Sequence, residues 1–180
     1  MAKERKKLLI VDGYNVLRSG SRYKRVSSTH PDYTDDTFNT ARERLINDVV
    51  HFAGRDYKAI IVFDGARNEF SQGAAEKIGG VQVIFSRAGE SADKVIEKLA
   101  HDARERMIET LVVTSDATIQ DTVFGGGVDR MSADGFSGEV GMYYYEAQLD
   151  ETPKVAKKNT VADRIPADTL AKLKAMRDGK

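Results

Sequence analysis

Leu8-Leu9-Ile10-Val11-Asp12-Gly13-Tyr14-Asn15 decides the fold class: an unbroken apolar run ending in an acid, without polar alternation, is the pattern of a strand covered on both faces. The same layout recurs at residues 59–64 and 111–116, each a run of mostly β-branched or Leu residues ending in Asp. Residues 81–86 make a fourth strand candidate. Between these strands lie helical patterns. Phe38, Ala41, Leu45, Val49 and Phe52 fall at helical spacing within 35–53, behind Thr34 as an N-cap and with Asp35 and Asp36 facing the positive end of the helix dipole. Ala92, Val95, Ile96, Leu99 and Ala103 form a second stripe over 91–107. Strands alternating with helix-length connections predict a three-layer α/β domain with a mainly parallel sheet.

Outward from this frame the pattern weakens. Residues 18–34 carry Ser, Arg, Lys and Tyr without periodicity and read as a surface loop. Residues 132–149 read as a helix, against three glycines at 135, 138 and 141. Gly125-Gly126-Gly127 is either a turn or a backbone cradle for phosphate. Residues 150–165 are linker-like, and 166–177 set Leu170, Leu173 and Met176 on one face of a terminal helix behind Pro166. The expected division is a domain over 1–149, then a linker and helix over 150–180.

Bulk composition restricts the chemistry. The 180 residues contain no cysteine, which excludes disulfides and thiolate metal sites; any metal would be held by oxygen or by three histidines, His30, His51 and His101, that show no ligand spacing. No apolar run approaches a bilayer span, and the charged residues 1–7 lack the apolar core of a signal peptide, so no membrane role and a cytoplasmic location are expected. The 28 basic and 28 acidic residues balance, but unevenly along the chain. Residues 1–25 hold eight Lys/Arg against two acids and 151–180 hold eight against four, leaving twelve against twenty-two in the middle. Basic ends suit a polyanion, and an acidic centre suits cations.

In an open parallel sheet, ligands bind outside the carboxyl ends of the strands. Asp12, Asp64 and Asp116 would converge there, and such like charges are costly together unless a cation or protons neutralise them. Mg²⁺ is the natural counter-charge, with Mn²⁺ an alternative. Asp93 joins them from the start of the second helix, with Glu90 just before it and Glu97 a turn further on. Carboxylates holding such ions can activate water and stabilise charge on a phosphodiester in in-line displacement, which needs neither a nucleophilic Cys nor a general-base His. Thr114 and Ser115 add hydroxyls, Asn15 a polar amide, and Asp121 a further outer acid. Arg130 could clamp a phosphate through its planar fork or form a structural salt bridge. Arg22, Lys24 and Arg25, with Tyr23, suit RNA contact or a solvated loop; Tyr143-Tyr144-Tyr145 suits packing better than base stacking. Each strand-end Asp has an innocent alternative as a turn or helix-cap residue.

In combination these motifs resemble the YacP-like NYN family. The matching stretches are 9–15, Val62-Phe63-Asp64, Gly89-Glu90-Ser91-Ala92-Asp93 with Ile96-Glu97, and Val113-Thr114-Ser115-Asp116, followed by Gln120 and 125–132. The resemblance covers about residues 7–149. It implies a PIN-like fold and a Mg²⁺-dependent endoribonuclease, with RNA and the ribosome as partners, since characterised relatives act on mRNA at the ribosome. Asp12, Asp93 and Asp116 match the family's acidic catalytic positions, Asn15 and Glu90 its accompanying polar ones, and Arg130 its arginine. Ser91 stands where Thr is usual, Val128 where Ala is usual, and Ile119 where an acid often precedes the Gln; none of these removes a metal ligand. Two enzyme classes do not fit. A haloacid-dehalogenase-type phosphatase needs an acid where Tyr14 stands, and a P-loop enzyme needs a G-x-x-x-x-G-K-[ST] run that is absent. The rival of another class is an RNA- or ribosome-binding module with the same fold that does not cleave.

Overall fold

A computed structural model of the chain describes residues 6–28, 35–65 and 75–151. The chain divides into two compact units, Met1–Glu146 and Ala147–Lys180. In the first unit the described strands are β1 (Lys7–Asp12), β2 (Tyr57–Phe63), β3 (Ala75–Ile78), β4 (Val81–Phe85), β5 (Thr110–Val113) and β6 (Val128–Met131). They form one sheet in the order β3-β4-β2-β1-β5-β6, parallel throughout except for β3, which runs antiparallel to β4. The helices are α1 (Gly13–Ser19), α2 (Ser21–Ser28), α3 (Asp35–Ala53), α4 (Ala92–Glu105), α5 (Ala117–Val123) and α6 (Ala133–Glu151). The expected three-layer, mainly parallel α/β architecture is the observed one.

Alternation along β1 divides the core. Leu9 and Val11 face Val16, Leu45, Val49 and Phe136 from α1, α3 and α6; Ile10 faces Ile96, Ala100 and Ile119 from α4 and α5. Because β1 is buried on both faces, its run needs no polar alternation. The chain leaves β1 for β2 and β4 on one side and returns to β5 on the other, so the strand order reverses beside β1. The carboxyl ends of β1 and β5 therefore border the crevice where open sheets bind ligands.

Several expectations need correction. Residues 18–28 are not a loop: they complete α1 and form α2, held by Tyr23, which is fully buried, and by its hydroxyl bond to Asp48 at 2.8 Å. Strands β3 and β6 add to the expected set; each is a short edge with most of its residues out of the core and no continuous apolar run. Gly125-Gly126-Gly127 lies at the amino end of β6, where Gly127 O accepts from Thr110 N. All three glycines have positive φ, which marks a tight turn at the sheet edge opposite the strand ends. Helix α6 forms despite its glycines because Ala133, Phe136 and Val140 pack into the core. The expected N-cap Thr34, the loop residues 29–34, and the linker and terminal helix beyond 151 lie outside the described residues.

Candidate active site

At the end of β1 the chain turns directly into α1, and Gly13 is required there because a Cβ would collide with the Phe63 ring. Asp12 is both the last residue of β1 and the N-cap of α1, accepting from Asn15 N at 3.4 Å. Its other oxygen accepts from the buried Thr114 hydroxyl at 3.0 Å. Thr114 in turn accepts from Asp116 N at 3.1 Å. Asp116 lies beyond the end of β5 and caps α5, accepting from Thr118 N at 2.8 Å and Ile119 N at 3.3 Å. Both candidate site residues are thus also helix caps.

Around this pair the polar residues are locked. Asn15 Oδ1 accepts from Ser115 N at 2.7 Å, Ser115 Oγ accepts from Ala133 N at 2.9 Å, and Gln120 donates its side-chain amide to the Thr114 carbonyl. With its oxygen committed to Ser115, Asn15 has its NH₂ left to offer a ligand. Ser91 caps α4 and places Asp93 in its exposed first turn.

The electrostatics join these residues. Asp12 is 5 % exposed, and burial drives its pKa up to about 6, against the pull of the Thr114 and Asn15 hydrogen bonds and with further push from Asp93 and Asp116. Asp93 is also raised, first by partial burial and then by Asp116 and Asp64. Asp12, Asp93, Asp116 and Asp64 therefore share one field at the carboxyl edge of the sheet.

Their donor set is all oxygen and suits a hard divalent cation. Among the described residues, no three His, Asp or Glu side chains are grouped so as to hold an ion jointly. Mg²⁺ tolerates that arrangement, because it keeps several waters and binds through one or two carboxylates.

One positioning residue, Ser86, has no place in the motifs of the sequence. It stands one position past β4, is buried, accepts from Gly65 N at 2.9 Å, and donates to the Glu90 carbonyl at 2.7 Å, with Asp64 Oδ1 at 3.4 Å. It stands to Asp64 as Thr114 stands to Asp12, a hydroxyl just past the end of the neighbouring strand. That shared position is the signal by which a sequence could show it.

Two of the basic residues are tied to acids of their own. Arg22 is not a free RNA contact in this structure: it makes a two-pronged bond to Asp48, at 2.7 and 3.2 Å, and lies over the Tyr144 ring at 4.9 Å. Lys24 is exposed on α2, and the side chain of Arg25 lies outside the described residues. Arg130 pairs with Asp121 at 2.9 Å and covers the Phe124 ring at 4.9 Å, so the ion-pair alternative for Arg130 is the one formed. Tyr144 packs against the core, whereas Tyr143 and Tyr145 are exposed.

Comparison with known proteins bears on the family and the fold. The family model for the YacP-like NYN domain matches residues 9–178. The chain is 33% identical over 129 residues to the uncharacterized protein YacP of Bacillus subtilis (strain 168), covering 70% of each. The crystal structure of a mutant of Rae1 (YacP) from Bacillus subtilis is similar with a TM-score of 0.63 at 28% identity, covering 94% of this chain and 99% of that one. A second crystal structure of Rae1 (YacP) is similar with a TM-score of 0.61 at 27% identity, covering 96% and 95%. With its fold, its strand-end acids and a family match over nearly its whole length, this chain belongs to the YacP-like NYN family and carries a nuclease-type fold.

Proposed function

We propose that the protein is a metal-dependent endoribonuclease that cleaves RNA phosphodiester bonds, with mRNA at the ribosome as its substrate. The observation that carries the proposal is the shared field of Asp12, Asp93 and Asp116 at the carboxyl edge of the sheet, with no Lys or Arg ion-paired to any of them among the described residues. Asp12, Asp93 and Asp116 are the residues proposed to hold Mg²⁺ or Mn²⁺, one or two of them directly and the rest through its waters, with Glu90 and Asp64 outside them. Bound there, the ion would supply an activated water and charge stabilisation on the phosphate.

The chain's own groups do the rest. Thr114 and the Asn15 N–H hold both Asp12 oxygens in place. Asn15 offers its NH₂ to a phosphate oxygen, while Ser115 fixes that amide from behind. Arg130 is the proposed phosphate clamp. Its ion pair with Asp121 is solvent-exposed, and such pairs exchange partners at little cost. Residues 1–149 are assigned as the nuclease domain and 150–180 as linker and terminal helix. The ribosome link and a cytoplasmic location rest on the family resemblance; among the described residues no helix is long and apolar enough to cross a membrane.

A non-cleaving RNA-binding module is the second reading, favoured by the lack of three acids grouped around one ion position among the described residues. Incubating RNA with wild type, Asp12→Asn and Asp93→Asn in Mg²⁺ separates the two. Cleavage by wild type alone is expected, and equal cleavage by all three would refute the metal site. Sequencing RNA 5′ ends in cells with and without the active protein tests the ribosome link: cuts in one codon position are expected, and cuts independent of frame would exclude it.

A further inference from the structure

Three cavities share walls, two of them along one side of α4 and the third beyond its C-cap, Arg106. The first, about 360 Å³, begins at Ser86 and Glu90 beside the acids and runs to Leu99 and Asp102. Leu99 and Asp102 also line a second, of about 190 Å³. The second shares Lys6, Lys58 and Arg106 with the largest, about 1140 Å³, at the amino ends of the strands. Together they make a groove from one edge of the sheet to the other on the α4 face of β2 and β4. The seven residues of β2 correspond to about 23 Å at the usual strand rise.

The lining is selective in charge and surface. Arg87, Lys98, Lys58, Lys6, Lys77 and Arg106 line the groove against three acids, Glu76, Glu90 and Asp102. None of the six cations takes part in an ion pair among the described residues. Leu99, Ile84 and Ile108 supply apolar wall between them. Cations tracking a backbone beside apolar surface for bases are the ingredients of a single-strand channel.

We infer that this groove carries single-stranded RNA away from the carboxylate edge, with Lys58, Lys98 and Arg106 holding phosphates. The inference rests on the nuclease reading above and adds the substrate's path and strandedness.

Its test is the affinity of the full chain for a fluorescein-labelled single-stranded RNA 12-mer, measured by anisotropy across a salt series in EDTA. The variants are Lys58→Ala/Arg106→Ala and, as a charge-matched control, Arg44→Glu on α3 across the sheet, with unfolding temperatures recorded for each. The groove pair should weaken binding roughly 10- to 30-fold at about 0.1 M salt and reduce the salt slope by about 1.4, the value for two single-strand phosphate contacts. Arg44→Glu should leave the slope unchanged, and a duplex of the same sequence should compete poorly. Equal losses for both variants, or none for the groove pair, would overturn the groove. Cleavage in Mg²⁺ keeps the two readings distinct: a wild type that cleaves while the groove pair binds and cleaves normally removes the groove alone. A wild type that neither binds nor cleaves RNA removes the nuclease reading itself.

Discussion

Two buried carboxylates, Asp48 and Asp12, are 1 % and 5 % exposed, yet they are built in opposite ways. Asp48 receives the Arg22 guanidinium through two bonds and the Tyr23 hydroxyl through a third. That cluster ties α2 to α3. Asp12 receives one hydroxyl and one backbone N–H, and its nearest charged influences are two more acids, Asp93 and Asp116. A buried charge that serves the fold is paired; one that is left short of positive charge is a candidate for function.

The largest effect expected is on the paired side. Arg22→Met strands Asp48 without its cation and should lower stability by about 3–5 kcal/mol, as measured by denaturant unfolding. A change under about 1 kcal/mol would mean that the cluster is not what holds α2.

On the unpaired side the sign reverses. The Asp12 carboxyl binds its proton more tightly in the folded state, at about 6 against 3.8, so between those values the folded protein holds a proton that the unfolded chain has released. In metal-free buffer stability should therefore fall as pH rises from about 4 to 6, by up to about 3 kcal/mol from this group. Comparing the pH profiles of wild type and Asp12→Asn isolates it: the difference should favour the variant above pH 6 and vanish below pH 4. A difference independent of pH would contradict the assignment.

Asp93 is exposed, so its effect should be confined to chemistry. Asp93→Asn should lower RNA cleavage by about 100-fold, about 2.7 kcal/mol of barrier, while leaving unfolding nearly unchanged. Smallest of all, Arg130→Ala breaks an exposed ion pair and should alter stability by less than about 1 kcal/mol; a drop in cleavage with stability intact would mark Arg130 as a phosphate contact.

The same contrast explains what is legible in the sequence. The apolar runs of β1, β2 and β5 announce strands because both faces are covered, β4 shows as a short apolar run, and the acids at or near the ends of β1, β2 and β5 follow from position alone. Strands β3 and β6 are short edges whose polar residues face solvent, so no periodicity marks them. In α1 and α2 the buried residues Val16, Leu17 and Tyr23 are diluted by Ser, Arg and Lys, and a loop is the natural reading. Arg22 is indistinguishable in sequence from an RNA contact because its partner is 26 residues away and meets it only across the packed α2 and α3. Ser86 and Thr114 share the hidden signal of a hydroxyl one residue past a strand, which gains meaning only once the strand order places each beside an acid.

The most direct test of the account is thermal unfolding of wild type and Asp12→Asn at about pH 7.5, in EDTA and in millimolar Mg²⁺. The variant should be the more stable in EDTA, and Mg²⁺ should raise wild type towards it while moving the variant little. A wild type that is already the more stable in EDTA and does not respond to Mg²⁺ would contradict a cation site at Asp12.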